Sequence, residues 1–190
     1  TYDGDDFIEF IGWFVTEGNT YVSEPKEYES STRGVSHQVN IQQYPGDDAD
    51  QVARLLDRMN IDYYDGENNF QFTSQLFAEL LDDLCGVDSE SKRLPEFVWN
   101  TSTEQKELLF QTLIQGDGRS AENAYRYTTL SDQLRDDVVR LCVETGRTPR
   151  YQWSESADAW RIKYWADKQT IRPYRNGNGR RSTTDDGVYC

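Results

Sequence analysis

Two apolar segments of the chain end in the same way, with a carboxylate followed by glycine. The first covers residues 7–18 and ends in Glu17 and Gly18, and the second covers residues 108–118 and ends in Asp117 and Gly118. The two carboxylates are 100 residues apart. Both segments are apolar on most sides, which predicts two buried helices. A chain that repeats such a segment is expected to consist of two similar halves.

The residues after each segment predict the same order of elements in both halves. Period-two alternation predicts strands, and apolar residues three and four apart predict helices. We expect helix, two strands, helix, two strands, helix in each half, with each closing glycine in a left-handed helix cap. Strands are predicted at 21–22, 35–42, 63–64, 70–72, 125–129, 151–153 and 160–164, and further helices at 47–60, 74–85 and 131–145. The first two strands are expected to be joined by a long polar connection at 24–34.

The predicted fold class is α+β: a pseudo-twofold repeat of αββαββα halves. Two antiparallel sheets form a saddle, with the two motif helices packed at its centre. The expected division is 1–91 for the first half, 92–100 for a proline-containing linker, 101–171 for the second half and 172–190 for a tail. The chain does not begin with Met, so we expect it to be excised from a longer protein. Apolar runs stay far below the ~18 residues needed to cross a bilayer, so no membrane association is expected.

The net charge is −14, with 34 acidic and 20 basic residues. For a nucleic-acid-binding protein this sign is unfavourable. The acid-rich, lysine-poor balance resembles cytoplasmic proteins of salt-loving archaea, and in molar salt the Debye length is only ~3 Å. The charge is also uneven: residues 119–181 hold 13 basic and eight acidic side chains, whereas residues 1–118 hold seven and 24. This asymmetry predicts a partner surface in the second half.

Three cysteines are spaced too widely for a zinc site. Cys85 and Cys142 lie in apolar helical runs and are expected to be buried free thiols. Free thiols are typical of the reducing cytoplasm, which is the predicted location.

The layout and both motifs resemble the LAGLIDADG (dodecapeptide, DOD-type) homing endonucleases, in particular the endonuclease domain carried inside inteins. The motifs are residues 10–18 and 110–118, and the seam from Lys92 to Pro95 resembles the family's inter-repeat linker. Glu17 is a familiar variant of the terminal Asp. Thr112 stands where the family usually has glycine, which is expected to loosen the packing of the motif helices. With the composition, the resemblance implies a haloarchaeal intein, and residues 186–190 resemble the block where splicing sequence resumes. This chain alone is not expected to splice.

The resemblance implies metal-dependent hydrolysis of both strands of a long, asymmetric DNA target by a monomer that holds both motif copies. Mg²⁺ or Mn²⁺ would be held by Glu17 and Asp117, with the carbonyls of Gly18 and Gly118 as further ligands. Carboxylates suit this role because Mg²⁺ takes few protein ligands and keeps water and phosphate oxygens. The unsatisfied carbonyls at a helix C-terminus add negative potential to such a site.

The family also places a basic residue near each site to polarise water or stabilise the leaving oxygen. In the second half the candidate is Lys163, with Lys168 as the alternative. Gln71 occupies the corresponding position in the first half, and no lysine is near it in the sequence. We therefore expect two matched metal positions with unequal catalytic groups, which leaves open whether both strands are cut.

DNA contact is expected from side chains at alternating strand positions, which share one face of a sheet. The second-half candidates are Arg119, Arg126, Arg150, Gln152 and Arg161. The first-half candidates are the uncharged Gln38, Asn40 and Gln42.

Two other readings remain open. One is a catalytically decayed scaffold that binds DNA or RNA as a regulator or a splicing maturase. The other is an acidic α+β interaction domain without a nucleic-acid partner.

Overall fold

The computed structural model describes residues 1–28, 31–121 and 124–164, which form an α+β fold. The helices are α1 Gly4–Glu17, α2 Asp47–Arg58, α3 Gln75–Cys85, α4 Thr103–Asp117 and α5 Asp132–Glu144. The first-half strands are β1 Gly18–Ser23, β2 Lys26–Tyr28, β3 Ser31–Arg33, β4 Ser36–Gln42, β5 Tyr64–Asp65 and β6 Asn69–Thr73. The second-half strands are β7 Arg119–Ala121, β8 Ala124–Thr129, β9 Arg150–Ser154 and β10 Ala159–Tyr164.

The two halves contain equivalent four-stranded antiparallel sheets. Their strand orders are β1-β4-β6-β5 and β7-β8-β10-β9, and each sheet interleaves with helices in the same sequence order. This confirms the predicted two-sheet α+β repeat. Residues 165–190, which include the predicted end of the second half and the tail, lie outside the described residues.

One predicted connection contains structure of its own. Residues 24–34 were expected to be a long polar loop, but β2 and β3 within them pair as a small antiparallel hairpin. Polar strands that pair only with each other lack the apolar alternation that reveals a half-buried strand.

The motif helices α1 and α4 pack closely against each other through a reciprocal pair of small residues. A Cβ placed on Gly12 would lie 2.7 Å from Cγ2 of Thr112, and one on Gly116 would lie 2.8 Å from Cβ of Thr16. Each glycine therefore receives the threonine of the other helix. The sequence suggested that Thr112 would loosen this contact. It does not, because it occupies the space that Gly12 leaves.

The glycines after α1 and α4 differ from the predicted left-handed cap. Gly18 has φ −95° and ψ 151°, and Gly118 has φ −80° and ψ 146°, so each helix passes directly into an extended strand. Glycine is needed for space instead. A Cβ on Gly18 would lie 2.6 Å from the Phe14 carbonyl oxygen, and one on Gly118 would lie 2.6 Å from Cγ2 of Ile114.

A single apolar core lies beneath both sheets and includes the motif helices. Cys85 and Cys142 are buried in it as free thiols, as predicted. Burial raises the pKa of each thiol to about 12. None of the helices in the described part of the chain has the length and apolar character needed to cross a membrane.

Candidate metal site and nucleic-acid interface

The two motif carboxylates lie at neighbouring helix ends. α1 ends at Glu17 and α4 ends at Asp117, and these helices form the most extensive helix–helix contact described. Partial burial of the carboxylate and the negative charge of Glu17 raise the pKa of Asp117 to about 7, although the residue as a whole is exposed to solvent. Burial and then the charge of Asp48 raise the pKa of Glu17. A bound cation would relieve this repulsion, and an all-oxygen donor set fits a hard divalent metal.

A hydrogen-bonded bridge fixes the surroundings of the first carboxylate. Gln115 on α4 donates through Nε2 to Asp48 (2.6 Å) and to the amide oxygen of Gln51 (2.8 Å), both on α2. Gln51 in turn donates to Glu9 on α1 (2.7 Å). The bridge joins α1, α2 and α4, so the helix that carries Asp117 is tied to the region around Glu17.

The structure brings a lysine to the end of α1 that sequence reasoning did not expect. Lys92, from the linker, is only 8 % exposed. Its Nζ donates to the carbonyls of Gly18 (2.9 Å) and Phe14 (3.0 Å) and lies 3.9 Å from the centre of the Phe14 ring. Burial lowers the pKa of Lys92 to about 8. The expectation that the first site lacks a nearby lysine is therefore wrong.

Lys92 was missed because it is 74 residues from Gly18 in the chain. The signal available in the sequence was its position at the start of the seam that resembles the inter-repeat linker. Lysine is rarely buried, so a lysine that opens an otherwise ordinary linker gives little indication of its environment.

A cavity of about 520 Å³ lies between the halves beside the motif ends, and Gly18, Lys92, Asp117 and Tyr127 contribute to its lining. The Tyr127 hydroxyl is fully buried and has no hydrogen-bond partner within the described residues. Burial, together with the charges of Asp117 and Glu17, raises its pKa. A hydroxyl without a partner beside two acids makes this an unusually polar place in the core.

The second sheet carries a row of basic residues on one face. Along this row Arg119 pairs with Arg126, Arg126 with Lys163, and Lys163 with Arg150. In the next row Arg161 lies between Thr128 and Gln152. The intervening Tyr127, Ile162 and Tyr164 are buried, so the basic rows lie on the opposite face, away from the core.

All five predicted second-half contact residues, together with Lys163, thus have register positions on one sheet face. Like charges directly opposite each other destabilise a sheet, so an anion bound beside this row would stabilise it. The structure describes the backbone of Arg119 but not its side chain, and Lys168 lies outside the described residues.

The equivalent face of the first sheet has no charged side chain among its paired residues. Gln38, Asn40 and Gln42 pair with Thr73, Gln71 and Asn69, and the alternate residues Val39, Ile41, Phe70 and Phe72 are buried. Tyr21 and Asn19 continue the face on β1. The three predicted first-half contacts therefore share one amide-rich surface with Gln71.

Within the described residues, no three His, Cys, Asp or Glu side chains gather into a cluster that could hold a metal ion. The metal ligands predicted from the sequence are instead one carboxylate at the end of each motif helix, Glu17 and Asp117, with the glycine carbonyl that follows it.

No protein-family model matches the chain. A DNA polymerase from Thermococcus sp. (strain GE8) is 24 % identical over 144 residues, which cover 75 % of this chain and 8 % of the polymerase. An ATP-dependent Clp protease proteolytic subunit from Chlamydomonas moewusii is 22 % identical over 148 residues, covering 77 % of this chain and 15 % of that protein. The chain thus spans only a small part of either relative.

Solved structures with the LAGLIDADG architecture share the fold. The homing endonuclease I-DmoI, in complex with DNA and Mn, superposes with a TM-score of 0.59 at 12 % identity, over 84 % of this chain and 89 % of that one. The N-terminal LAGLIDADG domain of DUF199/WhiA gives a TM-score of 0.53 at 4 % identity, over 85 % and 75 % of the two chains. These similarities show that this chain has the LAGLIDADG fold.

Proposed function

We propose that this chain is a metal-dependent, site-specific homing endonuclease that hydrolyses both strands of a long, asymmetric DNA target. The observation that carries the proposal is the placement of Glu17 and Asp117 at neighbouring ends of two closely packed helices, where the charge of Glu17 raises the pKa of Asp117. Two neighbouring acids whose pKa values are both raised, Asp117 by burial and Glu17, and Glu17 by burial and Asp48, are costly to a fold, which favours a functional reason for keeping them.

Glu17 and Asp117, with the carbonyl of Gly118, would hold Mg²⁺ or Mn²⁺, whereas the predicted Gly18 carbonyl already accepts a hydrogen bond from Nζ of Lys92 (2.9 Å). When bound, such a metal lowers the pKa of coordinated water and offsets charge that develops at phosphorus. The protein's part is to hold the two carboxylates a fixed distance apart, and the bound metal would favour their ionised form against the raised pKa values. The close contacts of Gly12 with Thr112, and of Gly116 with Thr16, set that distance.

Each site has a lysine within this proposal. Lys92 supplies a buried positive charge beside Gly18, and the exposed Lys163 supplies a second positive charge from β10. A lysine with a lowered pKa is suited to polarising water or to protonating a leaving oxygen. This pair replaces the unequal arrangement expected from the sequence, in which only Lys163 was available.

The two sheet faces would divide the work of binding. The basic row Arg119, Arg126, Lys163 and Arg150, with Arg161 and Gln152 beside it, contacts phosphates and guanine edges of one half-site. The amide face with Gln38, Asn40 and Gln42 reads base edges of the other half-site without adding charge.

The relatives favour an inserted element as the setting. A polymerase and a protease subunit have unrelated activities by name, yet each matches this chain over a minor part of its length. An intein-borne, DOD-type endonuclease accounts for both matches. We further propose a monomer in the cytoplasm of a salt-loving archaeon, on the basis of the two motif copies and the net charge of −14.

The test is cleavage of the uninterrupted host allele in the presence of Mg²⁺ by the wild-type chain, Asp117→Asn and Glu17→Gln. We expect wild-type cutting that requires the metal, loss of cutting in both variants, and retained binding. Binding without metal-dependent cutting in the wild type would refute the nuclease proposal.

That outcome would favour the second candidate, a DNA- or RNA-binding regulator or maturase without nuclease activity. Two observations favour this alternative: the LAGLIDADG domain of WhiA shares the fold, and Gln71 pairs with Asn40 on an uncharged face. Absence of nucleic-acid binding at any salt concentration would leave only the third reading, an acidic interaction domain.

A further inference from the structure

The linker segment that carries Lys92 is held by hydrogen bonds from both halves of the chain. The hydroxyl of Ser131 donates to the Lys92 carbonyl (2.6 Å), and the backbone N–H of Leu94 donates to Oδ2 of Asp137 (2.8 Å). Between them, the N–H of Arg93 points the other way and donates to the Cys85 carbonyl (3.0 Å) in the first half. This alternation is that of an extended strap fixed on both sides.

The residues that hold the strap are buried as deeply as the lysine. Ser131 is 0 % exposed and Asp137 is 6 % exposed. Gln133 donates to the second oxygen of Asp137 (2.9 Å), and the carboxylate has no ion-pair partner within the described residues. Burial raises the pKa of Asp137, and the nearby charges of Asp136 and Glu96 add to the effect.

Burying a carboxylate without a cation costs desolvation free energy that a hydrogen bond to one backbone N–H does not offset. Asp137 is therefore more than a filler of space on α5. Its oxygen and the Ser131 hydroxyl hold the backbone of residues 92–94 on one side, and the Cys85 carbonyl holds it on the other. The direction of that backbone determines where Nζ of Lys92 arrives.

We infer that Asp137 and Ser131 are positioning residues for Lys92, so that the second half of the chain places the lysine beside the metal position of the first half. The inference rests on the proposed function for its catalytic meaning. It makes the nuclease centre of the first half depend on the second half, because α5 sets the geometry at the end of α1.

The first test measures cutting of each DNA strand separately, using duplexes labelled on one strand or the other. Asp137→Leu removes the acceptor, Asp137→Asn keeps one, and Asp136→Leu changes the neighbouring exposed acid as the matched control. We expect Asp137→Leu to slow one strand at least tenfold more than the other, as Lys92→Met does. Asp137→Asn and the control should change the strand ratio less than threefold.

Adding Asp137→Leu to Lys92→Met should produce no further strand bias if the acid acts through the lysine. An equal slowing of both strands would overturn the inference, because it would mean that Asp137 only supports the fold.

The second test does not depend on nuclease activity. Acetic anhydride labels accessible lysines, and peptide mass spectrometry compares Lys92 with the exposed Lys163. We expect Lys92 to be protected at least tenfold in the wild type and in Asp137→Asn, and to lose this protection in Asp137→Leu. Labelling of Lys106, which pairs with Glu144 (2.8 Å), should stay constant and so report an intact fold.

Unchanged protection of Lys92 in Asp137→Leu would overturn the positioning role. If the wild type cuts neither strand, the nuclease proposal fails, and the labelling result alone decides whether Asp137 positions Lys92.

Discussion

Gly12→Ala should destabilise the protein, although alanine is the better helix former. Alanine is favoured over glycine by about 1 kcal/mol in a helix interior. Against this, the new Cβ would lie 2.7 Å and 2.8 Å from Cγ2 and Cβ of Thr112, whereas carbon atoms normally pack at about 3.5–4.0 Å. The helices would have to separate by roughly 1 Å, and such overpacking costs about 1–3 kcal/mol. We expect a net loss of up to about 2 kcal/mol in the free energy of unfolding.

The matched background is Thr112→Gly, which removes both clashing atoms. The nearest remaining neighbour of the new methyl group is then Cδ1 of Leu109, at 3.4 Å. In this background Gly12→Ala should stabilise the protein by up to about 1 kcal/mol, since only the helix-propensity gain remains. The sign of the effect should therefore reverse, with a coupling energy of about 2 kcal/mol.

Urea unfolding of the four proteins measures this coupling, with fluorescence of the buried Trp13 on α1 as a probe of the helix pair. A Gly12→Ala effect of the same sign and size in both backgrounds would refute the reasoning, because the glycine would then be unrelated to Thr112.

Three further predictions follow from charge and burial. Because the pKa of Asp117 is raised to about 7, its ionisation opposes folding increasingly as pH rises from about 4 to 7. Asp117→Asn should thus stabilise the metal-free protein by about 1–2 kcal/mol at pH 8 and by less at pH 5, a magnitude discounted for solvent exposure. Thermal melts of both proteins at the two pH values measure this gain, and a gain that does not depend on pH would contradict the prediction. Arg126→Gln should reduce the slope of log K against log salt by about 1, whereas Gln38→Ala should leave the slope unchanged and reduce discrimination between target sequences in fluorescence-anisotropy titrations. Cys85 and Cys142, with pKa values of about 12, should resist Ellman's reagent in the native protein and react on unfolding. Mass spectrometry identifies the labelled cysteine, and rapid labelling of either thiol in the native protein would be inconsistent with its burial.

The repeat could be predicted because it is written in local patterns. The apolar runs before Glu17 and Asp117, and the alternation around Val39 and Ile162, each follow from residues close in the chain. The same alternation also placed the second-half arginines on one face. What could not be predicted depends on distant contacts or on shape. Lys92 meets Gly18 across 74 residues, and neither local periodicity nor residue type indicates such a contact.

The glycines illustrate a subtler difference. Gly18 and Gly118 suggested left-handed caps, since that is the commonest reason for glycine after a helix. The structure shows extended backbone at both, with no room for a Cβ. A sequence shows that a side chain is absent but not whether the reason is a torsion angle or a neighbour. Thr112 was misjudged for the same reason, because its partner Gly12 lies on the other helix.

The strap from Lys92 to Leu94 has a consequence for any exchange of halves between proteins of this fold. A chimera cut at the linker would separate Lys92 from Ser131 and Asp137, which hold its backbone. The unit to transplant with the first half is therefore larger than the chain order suggests, and it includes the start of α5. Some recipient second halves will lack a serine cap with an acid six residues after it. Such a half would still pack its helices and sheets against the first half, but it would not hold the lysine in position. In such hybrids we expect folding and DNA binding to survive more often than balanced cutting of both strands.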